Sequence, residues 1–198
     1  MNISYTKIDP AGNITVIVDS FVPREQQSRV ASELMKLDNS VEQVGFLEKP
    51  DDPCCAVRLQ MMGGEFCGNA SLSAAAVIFS RAGLGKGLYC EELFEVSGAP
   101  EPVKISGHMV NSSCFEGEVA MPLPESISEC SFLDGFEGYT FPLVRFPGIC
   151  HAIVPAGAIN PERAEAVIAS WCRQLSADAL GLMFFDRDLS LIHISEPT

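Results

Sequence analysis

The spacing of apolar residues near the start of the chain predicts a strand, a helix and a second strand. Residues 13–21 are rich in β-branched side chains, which is typical of a buried strand. Pro23 then suits the first turn of a helix, and the apolar positions that follow recur on one helical face: Val30, Leu34 and Leu37. From 55 to 62, apolar and more polar residues alternate with the period of a strand.

The segment 68–80 contains no charged residue. A helix that is apolar or small on every side belongs inside a protein, surrounded by other elements. Arg81 places a cation in the last turn, and Gly83 is suited to cap the helix. The pattern therefore predicts strands wrapped around one central helix, with Cys67 at its N-terminal end.

The second half repeats the order of strands followed by a helix. Gly and Pro punctuate short predicted strands at 103–106, 114–123, 139–145, 150–154 and 180–188. Asn160 and Pro161 form a good cap and first turn for a helix. Its apolar positions recur at helical spacing: Ala164, Val167, Ile168, Trp171 and Leu175. We expect one domain over 1–114 and a second over 115–188.

The last ten residues, 189–198, spell LSLIHISEPT, which resembles the translation of a transposon-derived sequencing adapter. We expect this tail to be non-native and set it aside from inferences about fold and site. The native sequence then ends near Asp188, inside a predicted strand. The chain is therefore expected to be a C-terminally truncated fragment with an incomplete second domain.

Composition narrows the class of protein. The chain has 26 acidic and 13 basic side chains, a net charge of −13, and is 47% hydrophobic. This argues against a disordered chain, a collagen-like repeat and a polybasic nucleic-acid binder. No apolar run approaches the roughly 18 residues of a membrane span, and residues 1–9 do not resemble a secretory signal. We expect a cytoplasmic protein with a small-molecule partner and neither nucleic acid nor membrane.

The eight cysteines show neither a C-x-x-C pair nor zinc-ligand spacing, so free thiols and no metal site are expected. At a helix N-terminus, the dipole and the unpaired N–H groups favour the thiolate of Cys67, and the N–H groups of Gly68 and Asn69 could hold a carboxylate. A cysteine that merely packs the helix is the alternative. His151 precedes an apolar run, where a buried imidazole needs a partner.

Four landmarks in order resemble the diaminopimelate epimerase superfamily of PLP-independent amino-acid racemases and epimerases. Residues 7–13 are similar to its K-x-x-x-x-G-N entry, and 41–43 to its D-Q segment. Residues 65–70 (EFCGNA) are similar to its C-G-N signature, and 148–151 (GICH) to G-N-P-H. The resemblance covers residues 1 to about 188.

The resemblance implies an α+β fold of two pseudo-symmetric β-rich domains, each wrapped around a central helix, and an isomerase without a cofactor. It implies these roles: Cys67 and His151 in catalysis, and Asn13, Gln43, Gly68 and Asn69 in substrate binding. Inversion needs acid/base groups on both faces of the α-carbon. In the family, the second Cys opens the second central helix, and this chain ends before such a segment. We therefore expect the fragment to be inactive.

The departures bear on the substrate. The family's C-G-N-G-A-R-C becomes residues 67–73, CGNASLS, without the Arg or the second Cys. Losing polar residues that fix a distal charged group argues against diaminopimelate itself, and the sequence is more similar to divergent racemases, including histidine-type ones. The resemblance still implies a role in amino-acid metabolism, with lysine biosynthesis as the expected pathway. Two alternatives stay open: a Cys67–His151 acyl-transfer enzyme, and a non-catalytic amino-acid-binding relic. The oligomeric state is not specified, with a homodimer as one candidate.

Overall fold

The structure, a computed structural model, describes residues 2–83, 87–134, 137–146, 148–177, 179–186 and 192–195. The fold is mixed α/β and rich in strands, as predicted. Its contacts form two compact units, Met1–Pro122 and Leu123–Thr198. The division falls after the boundary we placed between residues 114 and 115, because the strand that begins at Cys114 pairs with the strand before it.

The first unit contains a seven-stranded sheet in which strands follow one another in chain order. Its elements are β1 (Tyr5–Ile8), β2 (Thr15–Val18), α1 (Arg24–Leu37), β3 (Gln43–Glu48), β4 (Val57–Met61), α2 (Gly68–Arg81), β5 (Cys90–Val96), β6 (Val103–Asn111) and β7 (Cys114–Val119). The pairs β2–β3 and β4–β5 are parallel, and the other pairs are antiparallel. Each parallel pair is joined by a helix, since parallel strands need a crossover.

Helix α1 confirms the helix predicted after Pro23 and covers part of this sheet. Val30 and Leu34 are buried in a cluster with residues of β2 and β3. Leu37, the last helical residue, lies outside this cluster and is 83% exposed. Val30, Leu34 and Leu37 share one helical face, as predicted, and this face is buried only as far as Leu34.

Helix α2 confirms the uncharged helix predicted from the sequence. It packs against β2, β3, β4, β6 and β7. Its buried residues are mostly small: Ala70, Ser71, Ser73, Ala74, Ala75, Val77 and Phe79. The buried hydroxyls of Ser71 and Ser73 donate to carbonyls one turn earlier, at 2.8 Å each, so their burial leaves no unpaired donor.

The second unit contains a five-stranded sheet in the order β12, β11, β10, β9, β8. Its elements are β8 (Ser126–Asp134), β9 (Glu137–Phe146), β10 (Ile149–Pro155), a 3-10 turn (Pro161–Arg163), α3 (Ala164–Leu175), β11 (Leu180–Phe185) and β12 (Ile192–Ser195). Strands β10 and β11 are parallel, with α3 between them in the chain. The fully buried Trp171 of α3 stacks on Phe132 of β8 with ring centroids 4.2 Å apart, in the middle of this core.

Strand β12 lies within the tail that we set aside. It pairs antiparallel with β11. This pairing does not test the origin of the tail, which stays a prediction. None of the helices among the described residues has the length and apolar character needed to cross a bilayer.

Candidate active site

Cys67 lies at the N-terminal end of α2, as the sequence predicted, and is its N-cap residue. Its backbone is extended, and the N–H of Ala70 donates to its Sγ at 3.4 Å. The N–H of Ser71 makes a helical hydrogen bond to the Cys67 carbonyl at 3.0 Å. The N–H groups of Gly68 and Asn69 come before that bond, where helical donors have no partner within the helix. The half-buried thiol therefore lies beside backbone donors.

Gln43, the first residue of β3, lies next to this thiol. Its Oε1 lies 3.1 Å from the Sγ of Cys67. Its Nε2 donates to the Oγ1 of Thr15 at 2.8 Å. Thr15 and Gln43 are paired in register on the parallel strands β2 and β3. The predicted residues Gln43 and Cys67 are thus in direct contact.

Asn13 joins the same group through its backbone. Its carbonyl accepts a hydrogen bond from Thr15 Oγ1 at 3.0 Å. Its side-chain Oδ1 is buried and has no hydrogen-bond partner among the described residues. Buried polar atoms normally have partners, and an exception calls for an explanation such as a bound ligand. Asn13, Gln43 and Cys67 are therefore linked in one cluster by Thr15, a residue that the sequence analysis did not single out.

The two residues after Cys67 are half-buried at the start of α2. A Cβ atom at Gly68 would lie 3.2 Å from Met121 Sδ and 3.6 Å from Val119 Cγ1. The carbonyl of Asn69 accepts from the Ser73 hydroxyl. The backbone at Gly68 is thus closely packed on the side where a larger residue would project.

The segment that leads into Cys67 is held by Ser97, which follows β5. The Ser97 hydroxyl accepts the N–H of Met61 at 2.9 Å and donates to the carbonyl of Glu65 at 2.9 Å. One buried hydroxyl therefore fixes the end of β4 to the residues that precede Cys67. This anchoring was not evident from the sequence.

His151 lies on β10 of the second unit. Its ring meets Phe146 edge to face at a centroid distance of 5.9 Å. Its buried Nδ1 has no hydrogen-bond partner among the described residues, and burial lowers the pKa of this imidazole. The group is therefore neutral at pH 7. Cys67 and His151 belong to different units, and their placement in one site stays a prediction.

All eight cysteines fall within the described residues, and none of them is in a disulfide bond there. Burial raises the pKa of the Cys55 and Cys172 thiols. Cys150 is buried, and its Sγ accepts from Arg145 Nη1 at 3.4 Å. Within the described part of the chain, no group of three His, Cys, Asp or Glu residues is arranged to hold a metal ion.

Residues 2–194 match the family model described as "Histidine racemase CntK N-terminal domain". The chain belongs to this family. The match spans both units and includes Asn13, Gln43, Cys67 and His151.

Individual relatives agree with this assignment. A histidine racemase of Fusobacterium nucleatum subsp. nucleatum (strain ATCC 23726) is 34% identical over 194 residues, which cover 94% of this chain and 68% of the relative. A histidine racemase of Staphylococcus aureus (strain Mu50) is 27% identical over 207 residues, covering 98% and 72%. The crystal structure of a hydroxyproline epimerase from Agrobacterium vitis has a TM-score of 0.71 at 12% identity, covering 98% and 69%, and shows a shared fold.

The family and the histidine racemase from Fusobacterium confirm the predicted class, a racemase or epimerase and hence an isomerase. The comparisons match histidine racemases and a hydroxyproline epimerase. They give no support to diaminopimelate as substrate or to a place in lysine biosynthesis.

Proposed function

We propose that this protein is an amino-acid racemase that uses no cofactor and in which Cys67 is one of two acid/base groups acting on the α-carbon. The observation that carries the proposal is the position of the Cys67 thiol. It caps α2, receives the Ala70 N–H, and contacts Gln43 at 3.1 Å. A thiol with donors and an acceptor beside it can both release and accept a proton.

The surroundings of Cys67 suit the two charged ends of a free amino acid. The N–H groups of Gly68 and Asn69, at the positive end of the α2 dipole, are placed to bind the α-carboxylate. The first turn of α2 has no acidic residue to repel that anion. The unpartnered Oδ1 of Asn13 is an acceptor that suits the ammonium group.

Inversion requires a proton to leave one face of the α-carbon and another to arrive at the opposite face. Cys67 acts at one face only. For the other face we propose a second thiol beside a Glu, as in the resembled superfamily. We do not assign this second thiol to Cys150 or Cys172. Cys150 is buried and accepts a hydrogen bond from Arg145, and Cys172 lies in α3. We expect the 198-residue chain alone not to invert its substrate.

Two further roles belong to the proposal. His151, neutral at pH 7, would assist the site as a hydrogen-bonding group rather than as a charge. The second unit would be an incomplete counterpart of the first, and the complete protein would have two pseudo-symmetric halves. We place it in the cytoplasm, either as a monomer or as a homodimer.

Histidine is the substrate we propose. Support comes from two relatives named as histidine racemases that match nearly the whole chain. Leu72 stands where the C-G-N-G-A-R-C motif of the diaminopimelate epimerase superfamily has Arg. Its apolar side chain is consistent with a substrate that lacks a second carboxylate.

The test is to express the protein from its own gene and measure racemisation of histidine, proline and diaminopimelate by chiral chromatography. Cys67→Ser is predicted to lower kcat/KM for histidine about 10³-fold, within the range for removing an acid/base group. Cys54→Ser, which changes an exposed thiol, is the matched control and is predicted to have little effect. Equal activity of both variants would refute the proposal. A thioester on Cys67 would indicate the acyl-transfer enzyme, and binding without turnover would indicate the relic.

A further inference from the structure

Thr15 is a fully buried hydroxyl inside a strand of β-branched residues, and its two hydrogen bonds have a fixed direction. Its Oγ1 lies 3.0 Å from the Asn13 carbonyl and 2.8 Å from Gln43 Nε2. A hydroxyl has one proton, and a carbonyl oxygen has none. Thr15 must therefore donate to Asn13 and accept from Gln43.

This direction fixes the orientation of the Gln43 amide. Its NH₂ group points at Thr15, so its oxygen points at Cys67, whose Sγ lies 3.1 Å away. An amide oxygen only accepts hydrogen bonds. The contact is therefore a hydrogen bond only while the sulfur carries its proton, and a thiolate would face an oxygen lone pair.

A reversed amide would have the opposite effect, because its N–H would donate to the sulfur and favour the thiolate. The Ala70 N–H also favours the thiolate, but at the longer distance of 3.4 Å. The end of the Gln43 amide that faces Cys67 is thus one of the influences on the protonation of this thiol. Thr15 decides which end faces Cys67 without touching the thiol.

We propose that Thr15 is a positioning residue that orients Gln43 and so keeps the proton on Cys67 in the resting site. Cys67 then acts first as the proton donor. Its S–H bond breaks, a C–H bond forms at the α-carbon from which the opposite-face group has removed a proton, and the electron pair of the S–H bond stays on sulfur as thiolate. The resulting thiolate is the base for the reverse direction. This inference rests on the proposed function for its catalytic meaning.

The test is the pH dependence of Cys67 alkylation by iodoacetamide in the 198-residue chain, measured by mass spectrometry of the Cys67 peptide. Thr15→Val removes the hydroxyl and so frees the Gln43 amide to turn its N–H toward the sulfur, which favours the thiolate. This variant is predicted to move the midpoint of alkylation about one pH unit lower. Thr15→Ser keeps the hydroxyl and is predicted to retain the wild-type midpoint. Thr15→Ala is predicted to act like Thr15→Val and replaces it if that variant does not fold.

A double-mutant cycle shows whether Thr15 acts through Gln43. In a Gln43→Ala background, Thr15→Val is predicted to cause no further shift. The proposal is overturned if the hydroxyl-lacking variants keep the wild-type midpoint, if Thr15→Ser shifts as far as Thr15→Val, or if the shift persists without Gln43. Alkylation requires no turnover, so these outcomes are independent of whether the protein racemises histidine.

Discussion

Gly98 packs directly against the backbone of Phe66, the residue that precedes Cys67. Its φ of +75° is one that other residues rarely adopt. A Cβ atom at this position would collide with the Phe66 nitrogen and lie 2.6 Å from the carbonyl carbon of Glu65. Backbone atoms cannot move aside as a flexible side chain can. The position of Cys67 is therefore set partly by a glycine about thirty residues later in the chain.

We predict that Gly98→Ala displaces the segment before Cys67 and, in the protein expressed from its own gene, lowers racemase activity about 10²-fold, since a shift of about 1 Å can cost that much. Gly87→Ala is the matched control, because Gly87 has a φ of +78° and open space where a Cβ would lie. Both variants bear the cost of a left-handed alanine, about 1–2 kcal/mol. Kinetics and urea unfolding of both variants provide the measurement. Equal loss of activity in the two variants would show that Gly98 matters only for its backbone angle.

The helices could be predicted because each has a strong local pattern. Helix α2 was evident from its lack of charge, and Cys67 was placed at its N-terminal end. The predicted cap residue of α3, Asn160, instead caps the 3-10 turn that precedes this helix. Its Oδ1 accepts the Glu162 N–H at 3.0 Å, and α3 itself begins at Ala164. The sequence therefore located the start of the helical segment, but it did not show that the first turn is a 3-10 turn and that the α-helix begins after it.

The parts that sequence analysis missed depend on contacts between distant segments. Strand β3 has no clear alternation of apolar and polar residues, and β5 contains three acidic residues: Glu91, Glu92 and Glu95. In the structure, Glu95 of β5 is largely buried and pairs with Arg58 of β4 at 3.0 Å. Thr15 resembles any β-branched strand residue until Gln43 is placed beside it. Its role could not have been found from sequence spacing.

The core of the second unit makes a prediction about stability. Phe132→Ala removes the fully buried ring that stacks on Trp171 and is predicted to lower the free energy of unfolding by about 3–5 kcal/mol. The fluorescence of Trp171, the one tryptophan of the chain, reports the transition in denaturant. Leu133→Ala, at a neighbouring position that is 62% exposed, is predicted to change the free energy of unfolding by no more than about 0.5 kcal/mol. Similar losses in both would contradict this account of the core.

The burial of His151 predicts that the stability of the second unit depends on pH. Burial holds its folded-state pKa below the ordinary 6.5, so the unfolded chain binds a proton at this residue more readily than the folded chain. Stability is therefore predicted to fall as the pH drops below about 6.5. His151→Asn removes the titrating group and is predicted to flatten this part of the profile, measured by Trp171 fluorescence from pH 7 to 5. A profile that is unchanged in the variant would assign the pH dependence to other groups.

The central claim is that Cys67 exchanges a proton with the α-carbon of an amino acid. The most direct measurement is to incubate L-histidine in D₂O with the protein expressed from its own gene, following the α-proton by NMR and the enantiomers by chiral chromatography. We predict that the D-histidine formed carries deuterium at the α-carbon, and that Cys67→Ser forms almost none while Cys54→Ser forms it normally. D-Histidine that keeps its original α-proton, or undiminished formation by Cys67→Ser, would contradict the claim.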